Sequence, residues 1–131
     1  MITYGSNPTV GSFKLREVDN APIFDPFNPA NPHITSPGKS VSLPKNAIEQ
    51  NLVEEFYHTF GEAKKIRRGD ILSKTTAGDI RAAGFDVIYA PTHNSLWHLR
   101  IVEKTRTFDE IGREWLSSAF KKVGKIKKSI D

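Results

Sequence analysis

The sequence contains no cysteine. This absence excludes disulfide bonds and thiolate zinc sites, so the chain is indifferent to the redox state of its compartment. The sequence also lacks an apolar run of the roughly 20 residues that span a bilayer. Its first residues, MITYGSNPTVG, have neither the charged start nor the apolar centre of a signal peptide. We therefore expect a soluble cytoplasmic protein, bacterial or from a phage, with no membrane contact.

Several catalytic motifs are missing as well. There is no Gly-rich phosphate loop, no His-Glu-x-x-His, no calcium loop and no nucleophile elbow. These absences disfavour nucleotide hydrolases, zinc proteases and α/β-hydrolases. His93 and His98 are five positions apart, which places them on opposite sides of an extended strand unless the turn folds back. We therefore expect no shared metal ion and no cofactor.

What the sequence does contain is a basic C-terminal half. The chain has 131 residues and a formal net charge of +4, with 37% hydrophobic and 26% charged residues, as expected for one globular domain. Residues 1–63 hold 4 Lys and Arg against 7 Asp and Glu, whereas residues 64–131 hold 15 against 8. Such an asymmetry is compatible with binding to phosphates, because each neutralised phosphate releases counterions. A solvated surface with a lysine-rich tail is the competing interpretation.

Residues 84–103 predict a β-hairpin. Two runs rich in β-branched and aromatic residues are joined by a polar turn that follows a proline. In the second run, Trp97 and every second residue after it fall on one face, whereas His98 and Arg100 fall on the other. We expect the Trp97 face to pack on helices. His98 and Arg100 should then point to solvent, near Tyr89 or Ile88 on the neighbouring strand, depending on register.

Three helices are predicted around this hairpin. The first spans residues 47–60, after an Asn-x-x-Glu cap; the second spans 77–83, capped by Thr76; the third spans 107–123, after a Thr-x-x-Glu capping box. Glycines at 61, 84 and 124 stop them. In the third helix Trp115 recurs on the apolar face, so we expect it in the core.

Residues 1–45 are expected to form an irregular arm, because they hold seven of the eight prolines and few helix signals. Residues 12–17 alternate in polarity and suit one edge strand. The apolar Phe24 and Phe27 indicate that the arm packs on its own domain or docks on a partner protein. The predicted organisation is this arm, a compact domain over 46–124 and a basic tail over 125–131. The fold class is α+β: three helices on a small antiparallel sheet built around the hairpin.

A first candidate site is catalytic. Cleavage of a phosphodiester without a metal needs a proton acceptor, a proton donor and a cation that stabilises the developing charge. His93, His98 and Arg100, with Lys104 or Arg106 nearby, could supply these groups on one face of the hairpin. This pattern predicts a nuclease or toxin-like enzyme, although histidine beside arginine is also common on a polar sheet face.

A binding function competes with catalysis. The order of helix, short helix and hairpin is compatible with a winged-helix-like module that contacts nucleic acid or another anionic partner. Its predicted binding residues are Arg67, Arg68, Lys104, Arg106 and Tyr89. A third class is a protein-interaction partner in a bacterial conflict or regulatory pair, which would use the Pro-rich arm. Of these classes, the basic binding protein is the one we favour from the sequence.

Overall fold

A computed structural model describes residues 2–5, 7–28, 30, 32, 34–43, 71–92 and 96–125. The predicted helix over 47–60 lies outside the described residues. The same holds for the predicted site residues Arg67, Arg68 and His93, and for the basic tail beyond Lys125.

The domain is built on an antiparallel sheet of six strands in the order β4-β5-β2-β1-β3-β6. The strands are β1 Ile2–Tyr4, β2 Gly38–Ser42, β3 Ile71–Thr75, β4 Phe85–Tyr89, β5 His98–Glu103 and β6 Lys121–Lys125. In the described part of the chain the sheet therefore ends in β4 on one side and in β6 on the other. The α+β class and the antiparallel sheet are confirmed.

Three α-helices accompany the sheet in the described segments: α1 Glu17–Asn20, α2 Ala77–Ala82 and α3 Glu110–Ser118. A single 3-10 turn, Gly11–Phe13, precedes α1. No helix in these segments is long and apolar enough to cross a membrane.

The α2–hairpin unit agrees with its prediction. The Thr76 hydroxyl accepts a hydrogen bond from the Asp79 backbone N–H at 3.1 Å and so caps α2. Gly84 follows the helix with φ +89, a left-handed conformation that favours glycine. Strand β4 then pairs with β5, with Val87 opposite Ile101.

The core lies on the face of the sheet that the helices cover, which we call the core face. Ile80 of α2 and Leu116 of α3 are fully buried there. At the β1 end, the rings of Tyr4, Phe13 and Phe120 lie with their centroids 4.9 to 5.6 Å apart. Such offset aromatic contacts add to the free energy gained by burying the rings. These ring contacts join three elements: the 3-10 turn through Phe13, β1 through Tyr4, and the segment before β6 through Phe120.

The prediction for the third helix is wrong at both ends. Helix α3 begins after Asp109, whose carboxylate accepts the Gly112 N–H at 2.7 Å, and it ends at Ser118. Residues 121–125 continue as β6 because they pair with β3. Trp115 faces outward and is 50% exposed, with the Arg106 guanidinium carbon 4.3 Å from the centre of its ring. The expectation that Trp115 belongs to the core is therefore wrong.

The irregular N-terminal arm is not confirmed. Strands β1 and β2 come from this stretch and occupy the centre of the sheet. Where an edge strand was expected over 12–17, the chain forms the 3-10 turn and enters α1, and Phe13 is buried. In the Pro-rich segment, Ile23 and Ile34 exchange two backbone hydrogen bonds of 2.8 and 3.2 Å. Phe24 and Phe27 are exposed, so docking of a partner protein there stays a prediction.

Candidate functional site

His98 and Arg100 do not point to solvent, as the sequence led us to expect. Their side chains alternate with Leu99 and Ile101 as predicted, but His98 is only 6% exposed and Arg100 only 4%. Trp97, predicted to face inward, lies in the turn before β5 and is 42% exposed. The prediction failed because β5 lies inside the sheet, where both of its faces are covered. Burial removes the solvent-facing geometry on which the nuclease hypothesis was based.

The face opposite the core face carries a row of polar residues across five strands. Lys121 of β6 lies opposite Lys74 of β3, Lys74 opposite Thr3 of β1, Thr3 opposite Ser42 of β2, and Ser42 opposite His98 of β5. We call these five residues the polar row. Thr3, Ser42 and His98 are buried, whereas the lysine end lies at the sheet edge. No local sequence pattern indicates this row, because its members are far apart along the chain.

His98 is held by the strand beside it. Its Nδ1 lies 2.7 Å from the Ala90 carbonyl oxygen. Because a carbonyl oxygen only accepts hydrogen bonds, Nδ1 must carry the proton that it donates. In the neutral imidazole the other nitrogen, Nε2, is then an acceptor. His98 thus has a defined tautomer at the end of the polar row.

Arg100 ties two distant loops to the sheet. Its Nη1 donates to the carbonyl oxygens of Ala21 and Ser36 at 3.2 and 2.8 Å, and its Nη2 donates to Ala21 at 3.2 Å. The aliphatic stem runs against Gly38, where an added Cβ would lie 2.5 Å from Arg100 Cγ. Burial lowers the pKa of Arg100, and the negative charge of Asp19 partly opposes this effect. These contacts give the guanidinium a structural role.

Two buried polar atoms on this face have no hydrogen-bond partner. They are the Ser42 hydroxyl oxygen and Arg100 Nε. Most buried polar groups in proteins are paired, so each exception calls for an explanation. Ser42 lies opposite His98, and Arg100 is two residues further along β5 on the same face. The Arg100 side chain runs toward Gly38, so its Nε lies away from the Ser42 hydroxyl along β2.

A buried ion pair on the core face was not anticipated. Lys39 and Asp19 are each about 2% exposed, and Lys39 Nζ donates to the Asp19 carboxylate at 2.6 Å and to the Lys14 carbonyl at 3.0 Å. Burial alone would raise the pKa of Asp19, but hydrogen bonds from Lys39 and Arg16 outweigh it, and the pKa is lowered. Burial lowers the pKa of Lys39 despite the carboxylate beside it. This pair joins α1 to β2.

At the other side of the sheet, lysines gather around a pocket. We define the lysine edge as Lys74, Lys121 and Lys122, which lie on β3 and the edge strand β6. A pocket of about 250 Å³ opens here, lined by Lys74, Thr75, Thr76, Asp79, Ala119 and Lys121. No carboxylate among the described residues forms an ion pair with Lys121 or Lys122. Among the described lining residues, two lysines stand against one carboxylate, Asp79.

The predicted binding residues in the described part of the chain do not form one patch. Tyr89 is exposed at one end of the hairpin, and its hydroxyl donates to the Leu96 carbonyl at 2.8 Å. Lys104 follows the opposite end, and Arg106 lies over Trp115. Acidic groups surround this opposite end: Asp86 pairs with Arg81 at 3.2 Å, and Glu103 accepts the Phe108 N–H. The lysine edge is therefore the more positive surface.

Comparisons with protein families, with curated proteins and with solved structures find no match to this chain.

Proposed function

We propose that the protein binds nucleic acid through the lysine edge. The observation that carries the proposal is that Lys121 lies opposite another cation, Lys74, across the β3–β6 pair. An anion at this edge can contact both ammonium groups, and the pocket beside them has room for a phosphate group.

Edge protection is the competing explanation for these lysines. Proteins often place lysine on an edge strand, because a charged edge resists pairing with another chain. That role accounts for Lys121 and Lys122 on β6. It does not account for Lys74, which lies on β3, one strand further into the sheet. A phosphate site uses lysines on both strands.

The lysine edge supports binding to the phosphate backbone without reading of bases. Lysine is a point charge, and contacts to phosphates position a nucleic acid without carrying sequence information. We therefore expect affinity that is similar for different sequences and that falls steeply with salt.

Replacing Lys121 and Lys122 together with alanine should weaken this binding. Each phosphate contact contributes about 0.9 to the slope of log affinity against log salt concentration for duplex DNA. Lys121 lines the pocket, whereas Lys122 projects from the other face of β6, so the double variant should lower the magnitude of this slope by about 1. Fluorescence anisotropy with duplex and single-stranded DNA and with RNA, from 50 to 200 mM salt, measures the effect.

A matched control is the double variant Lys14→Ala with Lys104→Ala. Both lysines are exposed and lie away from the lysine edge, and the loss of charge is the same. The control should retain the wild-type slope. If the control variant lost as much affinity for nucleic acid as the Lys121 and Lys122 variant, the affinity would depend on net charge and not on the position of the lysines. Absence of nucleic-acid binding by the wild-type protein at 50 mM salt would disprove the proposal.

A further inference from the structure

The two sides of the sheet end in strands of different character. In the described part of the chain, β6 with its three lysines ends one side, whereas β4 ends the other and pairs with β5 alone. Strand β4 reads FDVIY, and Asp86 is its single charged residue. An edge strand of β-branched and aromatic residues offers its backbone groups to any extended chain, and proteins usually block such edges. The structure shows what blocks β4.

The backbone N–H of Val87 points out of this open edge. Ala90 donates its N–H to the His98 carbonyl oxygen at 3.0 Å, so these two residues form a hydrogen-bonded pair between the strands of the hairpin. Because such pairs alternate along an antiparallel ladder, the even-numbered residues of β4 bond to β5, whereas the odd-numbered residues direct their N–H and C=O groups outward. Val87 is the central odd-numbered residue of the strand.

A side chain already occupies this outward N–H. The Asp86 carboxylate oxygen Oδ1 accepts the Val87 N–H at 2.8 Å, in the place that a carbonyl oxygen of an added strand would take. Arg81 Nε donates to the same oxygen at 3.2 Å. The carboxylate and the guanidinium therefore cover the middle of the edge together.

The ion pair reaches from one face of the sheet to the other. Ile80 packs in the core and so places α2, which carries Arg81, on the core face. Asp86 follows Phe85 of the same core and therefore projects from the opposite face. The contact between Arg81 and Asp86 thus passes around the edge of β4. A strand that adds to β4 has to displace both side chains.

A second copy of β4 fits the edge that these side chains cover. In an antiparallel pair with a two-fold axis at Val87, the outward backbone groups of the two copies meet each other. Phe85 then lies opposite Tyr89 of the second copy, and aromatic pairs across strands are favourable. Asp86 lies opposite Ile88 of the second copy, so no like charges face each other. The pairing also covers Tyr89, which is 60% exposed.

We propose that the β4 edge is a self-association surface, which pairs with β4 of a second copy of this chain and is held closed by Asp86 and Arg81. The lysine edge lies at the other side of the sheet, so this surface does not depend on nucleic-acid binding there. The competing explanation is local: the carboxylate only satisfies one backbone N–H. A local role predicts that removing the carboxylate does not change the oligomeric state.

The Asp86→Ala variant of the full chain tests the proposal. Its substitution frees the Val87 N–H and releases Arg81, so the variant should form dimers about tenfold more tightly than the wild-type protein, or better. Sedimentation equilibrium at pH 7 and constant salt, over a range of protein concentrations, measures this association. Glu114→Ala is the matched control, because it removes one exposed carboxylate from α3 and should behave as the wild type. Equal association of the Asp86→Ala variant and the wild type would overturn the proposal.

The Arg81→Ala variant tests the ion pair without changing Asp86. The carboxylate that remains still accepts the Val87 N–H but is no longer held across the edge. This variant should therefore self-associate more tightly than the wild type and less tightly than Asp86→Ala. Association no tighter than that of the wild type would contradict the assignment of Arg81 to the closed edge.

Amide hydrogen exchange followed by NMR locates the contact between the copies. In the proposed pairing, the N–H groups of Val87 and Tyr89 donate to the second copy. Their exchange in the Asp86→Ala variant should therefore slow as the protein concentration rises. Dimers in which both amides exchange at a rate independent of concentration would place the contact elsewhere on the molecule and would overturn the proposal.

Discussion

Replacing Asp19 with alanine should lower the free energy of unfolding by about 3–5 kcal/mol, the usual cost of breaking a buried ion pair by removing one partner. The variant leaves the Lys39 ammonium buried with only the Lys14 carbonyl as a hydrogen-bond acceptor. It also removes the acceptor of the Arg16 backbone N–H at the start of α1. Equilibrium unfolding in urea at pH 7 measures the loss.

The pH dependence of stability should change in the same variant. Because the pKa of Asp19 is lower in the folded protein than in the unfolded chain, its carboxylate stabilises the fold above the unfolded pKa of about 3.9. This contribution is lost as the pH falls through the folded value. The wild-type protein should therefore lose more stability than the Asp19→Ala variant when the pH is lowered below about 4.

A double variant distinguishes the charge from the packing. Adding Lys39→Met to Asp19→Ala removes the unpaired ammonium, and replacing a buried ion pair by apolar side chains is often neutral. The double variant should therefore recover much of the stability that the single variant loses. If Asp19→Ala alone cost less than about 1 kcal/mol, the two side chains would not form the buried pair that the structure shows.

The parts of the fold that local sequence determines were predictable. The hairpin could be recognised because alternating β-branched residues flank a short polar turn, and β4 and β5 pair as expected. Helix α2 could be recognised from Thr76 and Gly84, whose cap and left-handed conformation are both local. In each case the interactions that define the element lie within a few residues.

The parts of the fold that depend on pairing between distant segments of the chain were not predictable. Residues 121–125 have lysines and a valine at positions that continue the periodicity of α3, so their strand structure comes from pairing with β3. Strands β1 and β2 are short, and β2 reads GKSVS, with one apolar side chain. Their place at the sheet centre is set by neighbours far along the chain, and no local pattern carries that information.

The candidate site was predictable only as a pair of residues. Alternation along β5 correctly placed His98 and Arg100 on one face, but it could not say what covers that face. Ser42 joins them through the β2–β5 register, and Thr3 joins through β1. The lysine edge likewise required the β3–β6 register to bring Lys74 and Lys121 together. Both sites therefore follow from sheet topology, which sequence periodicity does not determine.

The second large effect is expected from Phe85→Ala, which should lower the free energy of unfolding by about 3–5 kcal/mol, the usual cost of truncating a buried phenylalanine. Phe85 is fully buried in the core, and its ring lies 5.0 Å from that of Phe108. A cavity left there would face Phe108, the residue just before the cap of α3, so it would loosen the contact between α3 and the hairpin.

Trp115→Ala is the matched control for this truncation, because it removes a larger aromatic ring from the outer surface of α3. Its half-exposed ring contacts the Arg106 guanidinium, and such exposed cation–π contacts contribute about 0.5–1 kcal/mol. We therefore expect Trp115→Ala to cost about 1 kcal/mol, well below Phe85→Ala, when both are measured by urea unfolding. The reverse order would place Trp115 in the core, as its helical periodicity alone suggested, and would contradict the packing of α3 on the sheet.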